Sequence, residues 1–446
     1  MNQYTNEFSP AVIHSARRRI ALRLLPFVWF LYIIAFLDRA NVAYAALEMP
    51  RDLGFSDRVF GLGAGIFFIG YFLLEIPGAI LVERWSARKW IARIMISWGL
   101  VTVLVGFVHT ANQFYLTRFL LGAAEAGFYP GIIIYLTHWF TQQDRAKAVA
   151  LFMTATSFSN VFGSPLAGQI LKVHWLGLAG WRWLFILEGV PAVIFGVVTI
   201  FYLTDWPHQA SWLPKQECDW ITAEVEQEKR RKNALQHFTI WQALRNRDVL
   251  LLAAIYFMGS TGFYGFVMWL PTILKRASGL STTNVTLLSS VAYAVALTAV
   301  LLNGWHSDKT QERRWHSAVL LFGAGAFLIL MMAAGSHIWL QFACLVAFGA
   351  CIHSYMPSFW ALPTSFLGES AAAASVGFIN SVGGLGGFVG PAIIGYLSSR
   401  TNSFVYGFVW LVVNVFLAGI LILCLRRHTA APTTPEPALK AKAHSA

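Results

Sequence analysis

Four ionisable residues stand inside runs that otherwise read as oil-soluble helix: Asp38 and Arg39 in "FLDRANVAYA" (36–45), and Arg118 and Glu125 in "TRFLLGAAEAGFYPG" (117–131). Each charge at the centre of a membrane helix costs roughly 2.5–3.5 kcal/mol on insertion scales. Four together would cost about 10 kcal/mol, comparable to the net stability of a whole protein. They must therefore face one another, water or a ligand. Arginine offers a planar fork that matches a carboxylate and does not lose its proton. A buried carboxylate changes protonation according to whether a cation stands beside it. The chemistry available to the set is capture of an organic anion linked to uptake of a proton.

Helical geometry says which of the four can meet. Asp38 and Arg39 point about 100° apart around one helix and do not share a face. Arg118 and Glu125 are two turns apart, on nearly one face and about 10 Å apart in height. The two helices run in opposite directions, and all four residues fall at overlapping depths, slightly outside the midplane. A cluster of two acids and two guanidiniums is expected. The competing reading is a structural ion-pair network that locks two helices together.

The elements that must hold these residues are membrane spans. Of the 446 residues 57% are hydrophobic and only 12% charged, half the charge of a typical soluble domain. The apolar residues come in runs of about 20, long enough to cross a bilayer. Twelve spans are expected: 20–46, 59–82, 90–109, 113–138, 147–171, 181–203, 249–274, 284–306, 316–335, 339–365, 371–399 and 402–425. The N-terminus resembles a signal peptide, but its apolar run is too long and Asp38-Arg39 interrupts it, so it reads as an uncleaved first helix.

The net charge of +12 does not point to nucleic acid. Of 33 Lys and Arg, 24 fall on the even side of the spans, seven in the odd-side loops, and Arg39 and Arg118 within spans. That bias marks the cytoplasmic side. It predicts a multi-pass protein of the plasma membrane with both termini cytoplasmic.

The expected organisation is a cytoplasmic N-terminus (1–19), a six-helix bundle (20–203), a cytoplasmic central loop (204–248), a second six-helix bundle (249–425) and a disordered tail (426–446). The central loop carries "EVEQEKRRK" and reads as a solvated helix. The halves repeat at an offset of about 226 residues. "AILVERWSARK" (79–89) answers "GWHSDKTQERR" (304–314), and "GSPLAG" (163–168) answers "VGPAIIG" (389–395). Parallel six-span repeats belong to one large transporter architecture. At that offset Tyr264, Cys344 and Cys351 stand opposite Asp38, Arg118 and Glu125. The charged set is therefore one-sided.

The two acid–base loops, the twelve spans and the repeat resemble the major facilitator superfamily. "FLDRANVAYA", "EIPGAIL", "TRFLLGAAEAGFYPG", "GWRWLFILEGVPAV" and "LTDWP" are similar, more narrowly, to its anion:cation symporter family, which includes bacterial carriers of sugar acids, tartrate and phthalate. The resemblance covers nearly all of residues 20–425. It implies an all-α fold of twelve transmembrane helices in two bundles, and proton-coupled symport of a small organic carboxylate by alternating access. It implies Arg39, Arg118, Tyr71, Trp360 and Asn380 as substrate-binding residues and Asp38 and Glu125 as the proton-coupling pair. Packing is the alternative role for Tyr71 and Trp360. The sequence leaves open whether Tyr264, Pro357 and Phe359 shape specificity.

Glu83-Arg84 and Asp308-Lys309 read as cytoplasmic latches between helices, forming a gate, or otherwise as solvated loop charges. Glu75 and Glu188 read as stabilisers of helix ends. Gly122, Ala126, Gly127 and "GGLGG" (383–387) read as close helix packing. The scattered histidines and the four cysteines have no metal-ligand spacing, and no cofactor is implied. A membrane-embedded enzyme would need a nucleophile–base set or a metal cluster, and neither pattern is present. A sensor would carry a soluble output domain, for which loop 204–248 is too short. An exchanger or uniporter of the same fold is the nearest alternative. The expected partners are the anion, the proton and the bilayer, with the chain a monomer.

Overall fold

The structure, a computed structural model, describes residues 8–233, 245–363 and 369–425; of Ala79, Glu83, Arg84, 231–233 and 369–374 it describes the backbone alone. The tail 426–446 and much of the second half of the central loop lie outside the described residues. All the regular structure described is helical. In chain order the helices are α1 (Pro10–Ala45), α2 (Met49–Leu53), α3 (Asp57–Arg84), α4 (Ala87–Val105), α5 (Ala111–Glu125), α6 (Phe128–Trp139), α7 (Gln142–Ile170), α8 (Gly180–Tyr202) and α9 (Lys215–Asn233). The second half contains α10 (Arg247–Ser278), α11 (Thr282–Thr310), α12 (Arg314–Ala333), α13 (Ile338–Trp360), α14 (Glu369–Gly384), α15 (Gly386–Thr401) and α16 (Val405–Leu423). Two six-helix bundles result, with α5–α6 and α14–α15 each forming one broken leg.

Helix starts follow local chemistry. Ser56, Ser86 and Ser281 each accept a backbone N–H of the first turn, and Thr110 with Gln113 forms a capping box. These caps satisfy amides that have no partner within the helix. The first helix begins at Pro10, ahead of the expected span at 20. Its 36 residues extend about 54 Å, well beyond the roughly 30 Å hydrocarbon core. The excess carries Arg17-Arg18-Arg19 out of the apolar layer on the basic face, meaning the face that holds most Lys and Arg.

Ten helical segments among the described residues are long and apolar enough to cross a membrane. Two legs of the twelve fall short of that measure for a visible reason. Helix α4 opens with Arg88, Lys89 and Arg93, and α7 carries the polar run Thr154, Thr156, Ser157, Ser159 and Asn160. Helix α4 packs closely on α8: a Cβ added at Gly99 would stand 2.7 Å from the Gly189 carbonyl, and one at Gly189 would stand 2.7 Å from the Gly99 carbonyl.

The bundles meet along α3 with α15, α7 with α11, and α1 with α10. Most polar bonds between them sit at the end away from the basic face. There Arg276 grips Asp57 with two bonds of 2.5 and 2.7 Å, and Ser398 donates to the same carboxylate at 2.6 Å. Ser164 and Ser290 donate across the α7–α11 seam at 2.5 and 2.6 Å. That end of the molecule is closed.

Candidate functional site

Asp38 and Arg39 diverge as their spacing predicts. Asp38, 1% exposed, turns to α4, where Thr102 donates to one carboxylate oxygen at 3.0 Å, while Asn41 donates to the other at 3.0 Å. Arg39 turns to α5 and pairs with Glu125. Its guanidinium also lies 5.3–5.9 Å from the ring centres of Phe36, Phe67 and Tyr71. Delocalised guanidinium charge is stabilised by such aromatic faces.

Arg118 is fully buried. Its Nε donates to the Gly63 carbonyl at 3.4 Å, and its charge lies 5.0 Å from the Phe67 ring centre. Neither terminal nitrogen has a hydrogen-bond partner among the described residues, and Glu125 Oε2 likewise has none. Helices α3 and α5 come close enough to enclose these groups because Gly122 lacks a side chain; a Cβ there would strike the Phe67 carbonyl. An arginine buried without a counter-ion is costly unless something else satisfies it.

Of the four charged residues only Arg39 and Glu125 touch. Asp38 interacts with Arg118 and Glu125 at longer range. Asp38, Arg118 and Glu125 are walled in, while the Arg39 side chain keeps 14% of its surface exposed. Arg39 is thus the edge of the constellation, and opening its pair with Glu125 would uncover the rest.

The helix that carries Arg118 and Glu125 breaks directly after the acid. Ala126 is extended (ψ 134°) and Gly127 is left-handed (φ 85°) before α6 resumes at Phe128. Gly127 is therefore the turning point of a helix break as well as the packing glycine expected, because side-chain-bearing residues resist that φ and its Cα would stand 3.1 Å from a Cβ added at Gly78 of α3. Irregular backbone at membrane depth occurs where it is enclosed by protein or lines a cavity.

The second bundle contributes from α10, α13 and α14. Asn380 donates to Glu75 Oε1 across the bundles at 2.9 Å. Trp360 ends α13 with its ring 4.8 Å from that of Tyr256. Tyr264 lies against Phe68, ring centres 4.3 Å apart, and within electrostatic reach of Arg39. It joins the charged set, which its sequence position alone did not establish. Tyr71 stands one turn from Glu75 on the same face of α3.

Glu75 and Glu188 are corrections. Neither stabilises a helix end. Glu75 bridges the bundles, and Glu188, 7% exposed, lies beside Asn41 and in electrostatic reach of Asp38. The i, i+4 spacing of Tyr71 and Glu75 was the available signal for Glu75, and the i, i+3 spacing of Asp38 and Asn41 was the one for Asn41; nothing local pointed to Thr102, 64 positions away. Of the gate residues, Asp308 pairs with Arg313 of the same turn at 2.7 Å, and Lys309 sits 5.3 Å from the Trp305 ring centre. The side chains of Glu83 and Arg84 lie outside the described part.

Comparison with known proteins agrees with this architecture. Residues 28–391 match the Major Facilitator Superfamily. An Agrobacterium vitis protein described as "Putative tartrate transporter" is 44% identical over 427 residues, covering 95% of this chain and 93% of its own. An Acinetobacter baumannii protein described as "Quinolone resistance transporter" is 36% identical, covering 91% and 93%. Among solved structures, a bacterial homologue of the human lysosomal transporter Spinster, inward-facing and occupied, superposes with a TM-score of 0.74 at 18% identity, covering 90% and 96%.

Proposed function

The chain belongs to the Major Facilitator Superfamily, and from that membership we propose that it takes up a small organic carboxylate of the tartrate or sugar-acid type by proton-coupled symport. The observation that carries this reading is Arg118, a fully buried guanidinium whose two terminal nitrogens have no partner among the described residues. A planar fork so placed matches a carboxylate bidentately. The likeness to a protein described as a tartrate transporter points to the same class.

The coupling follows from competition. The substrate carboxylate enters past Arg39 and draws on both guanidiniums. Glu125 then loses its hold on Arg39 and takes a proton, because a bare carboxylate buried without a cation is costly. Asp38, held by Thr102 and Asn41, is the second proton-coupling group. Tyr71, Trp360 and Asn380 line the rest of the site and fix the substrate's hydroxyls. With the charges neutralised, the bundles 20–203 and 249–425 rock about the site, the alternating-access motion of such repeats. The loop pairs Glu83-Arg84 and Asp308-Lys309 serve as the cytoplasmic gate. The Lys/Arg bias places the basic face and both termini in the cytoplasm of a bacterial inner membrane. In that orientation the closed end, held by Asp57, Arg276 and Ser398, faces outward. We take the carrier to be a monomer.

The test is uptake into proteoliposomes under an imposed pH gradient, with tartrate, a hexonate, an aromatic acid and a quinolone compared. Accumulation of a carboxylate that collapses with the gradient is the expected result. Accumulation indifferent to the gradient would leave an exchanger or uniporter, and transport of the quinolone alone would overturn the carboxylate reading.

A further inference from the structure

Glu75 has no part in the mechanism above, yet it is the carboxyl that reaches the second bundle. It is 9% exposed, and no Lys or Arg pairs with it among the described residues. Its bonded partner is neutral: Asn380 donates to Oε1 at 2.9 Å. The groups within electrostatic reach of it are Arg39 from α1, Tyr71 from its own helix, Tyr129 from α6, and Tyr256 and Tyr264 from α10. Arg39 is engaged by Glu125. The site therefore has two unlike sides, which adjoin at Arg39. One is cationic, at Arg118 and Arg39. The other presents a carboxylate, an amide and several phenols.

We propose that Glu75 is a specificity-determining residue that makes the second-bundle side of the site, where Asn380 stands, accept hydroxyl donors and reject a second negative charge. The inference rests on the carboxylate reading given above. A carboxylate is an acceptor only, so it matches an alcohol or an un-ionised carboxyl and repels an ionised one. In a low-dielectric site that repulsion is screened far less than in water. The substrate class that fits is a hydroxylated acid that enters as a monoanion. Its carboxylate meets the arginines, and its far hydroxyl replaces Asn380 on Glu75. A dicarboxylic acid such as tartrate is accepted with its far carboxyl protonated. Its binding then weakens, relative to a hydroxylated monocarboxylate, as pH rises through its second ionisation.

The experiment is competition binding to the full-length carrier in detergent, where no gradient operates. Tartrate and gluconate are compared from pH 4 to pH 8, for the wild type and for Glu75→Gln. Glutamine keeps a carbonyl for Asn380 and removes only the charge. In the wild type the tartrate-to-gluconate affinity ratio should fall at least about tenfold across this range, the order expected of one like-charge contact. Glu75→Gln should flatten that fall and raise the ratio at pH 8 by a similar factor. A ratio that falls equally in both proteins, or in neither, overturns the assignment of Glu75. If Glu75→Gln does not fold, a wild-type ratio that stays level with pH still overturns it. If folded wild type binds neither acid, the carboxylate reading itself fails and the Glu75 proposal with it; binding of both acids, weakened together in Arg39→Lys, with a ratio that stays level with pH, overturns the assignment of Glu75 alone.

Discussion

The two bundles repeat one topology but differ where the first carries its charges. Arg118 and Glu125 on α5 stand opposite Cys344 and Cys351 on α13, and Asp38 on α1 opposite Tyr264 on α10. The backbones differ at the same place. The first-bundle leg breaks at Ala126–Gly127, whereas α13 runs continuously from Ile338 to Trp360 through the equivalent point. Scaffold roles are expected in both halves of a repeat. Buried charge in one half, on a leg whose break has no counterpart at the equivalent point of the other, marks that half as the one adapted for coupling, with the other supplying aromatic and amide walls.

Five substitutions would break or sharpen that contrast. The largest effect is expected at Arg118→Ala. Loss of the buried fork leaves Glu125 and Asp38 without that cation, and binding should weaken at least about 100-fold, the lower end of what losing one partner of a buried charge set costs. Cys344→Ala at the matching position should change binding less than about twofold, since exchanging one small uncharged side chain for another leaves the charge set intact. Equal effects at the two positions would erase the distinction between the halves. Glu125→Gln should keep substrate exchange but lose accumulation driven by a pH gradient, because glutamine cannot carry the proton. Exchange and gradient-driven uptake measured on the same proteoliposomes decide it.

Arg39→Lys comes next. A point charge cannot reproduce the bidentate fork, and affinity should drop by about tenfold, the worth of one charge-assisted hydrogen bond. Normal binding by this variant would remove Arg39 from the site. Apart from the Cys344 control, the smallest effect is expected at Gly127→Ala. A Cβ at φ 85° strains the break by about 1–2 kcal/mol, which thermal unfolding in detergent would register as a modest fall in midpoint. An unchanged midpoint would mean that the break is easily accommodated and carries no strain.

Much of the fold was legible in advance. Long apolar runs and the 226-residue repeat are written in the sequence, and they located twelve helical legs. The boundaries moved where helices continue past the apolar layer, as α1 does at its basic start, because a helix ends at its caps and not at the lipid edge. The site was legible in part. The rarity of charge in spans singled out Asp38, Arg39, Arg118 and Glu125, and helical angle separated Asp38 from Arg39. Partners were not legible. A convergent cluster was expected, but Asp38 is bonded to Thr102 and Asn41, and only Arg39 and Glu125 meet.

What the sequence determined by itself was which residues cannot face lipid. That follows from composition and depth, since a lone charge facing hydrocarbon is costly wherever in the fold it stands. What only the tertiary structure decided was which of those residues touch, and that Glu75 reaches Asn380 across 305 positions of chain. Such contacts depend on how closely helices approach and rotate. Packing around small residues such as Gly122 and one left-handed glycine set that geometry, and no periodicity records it.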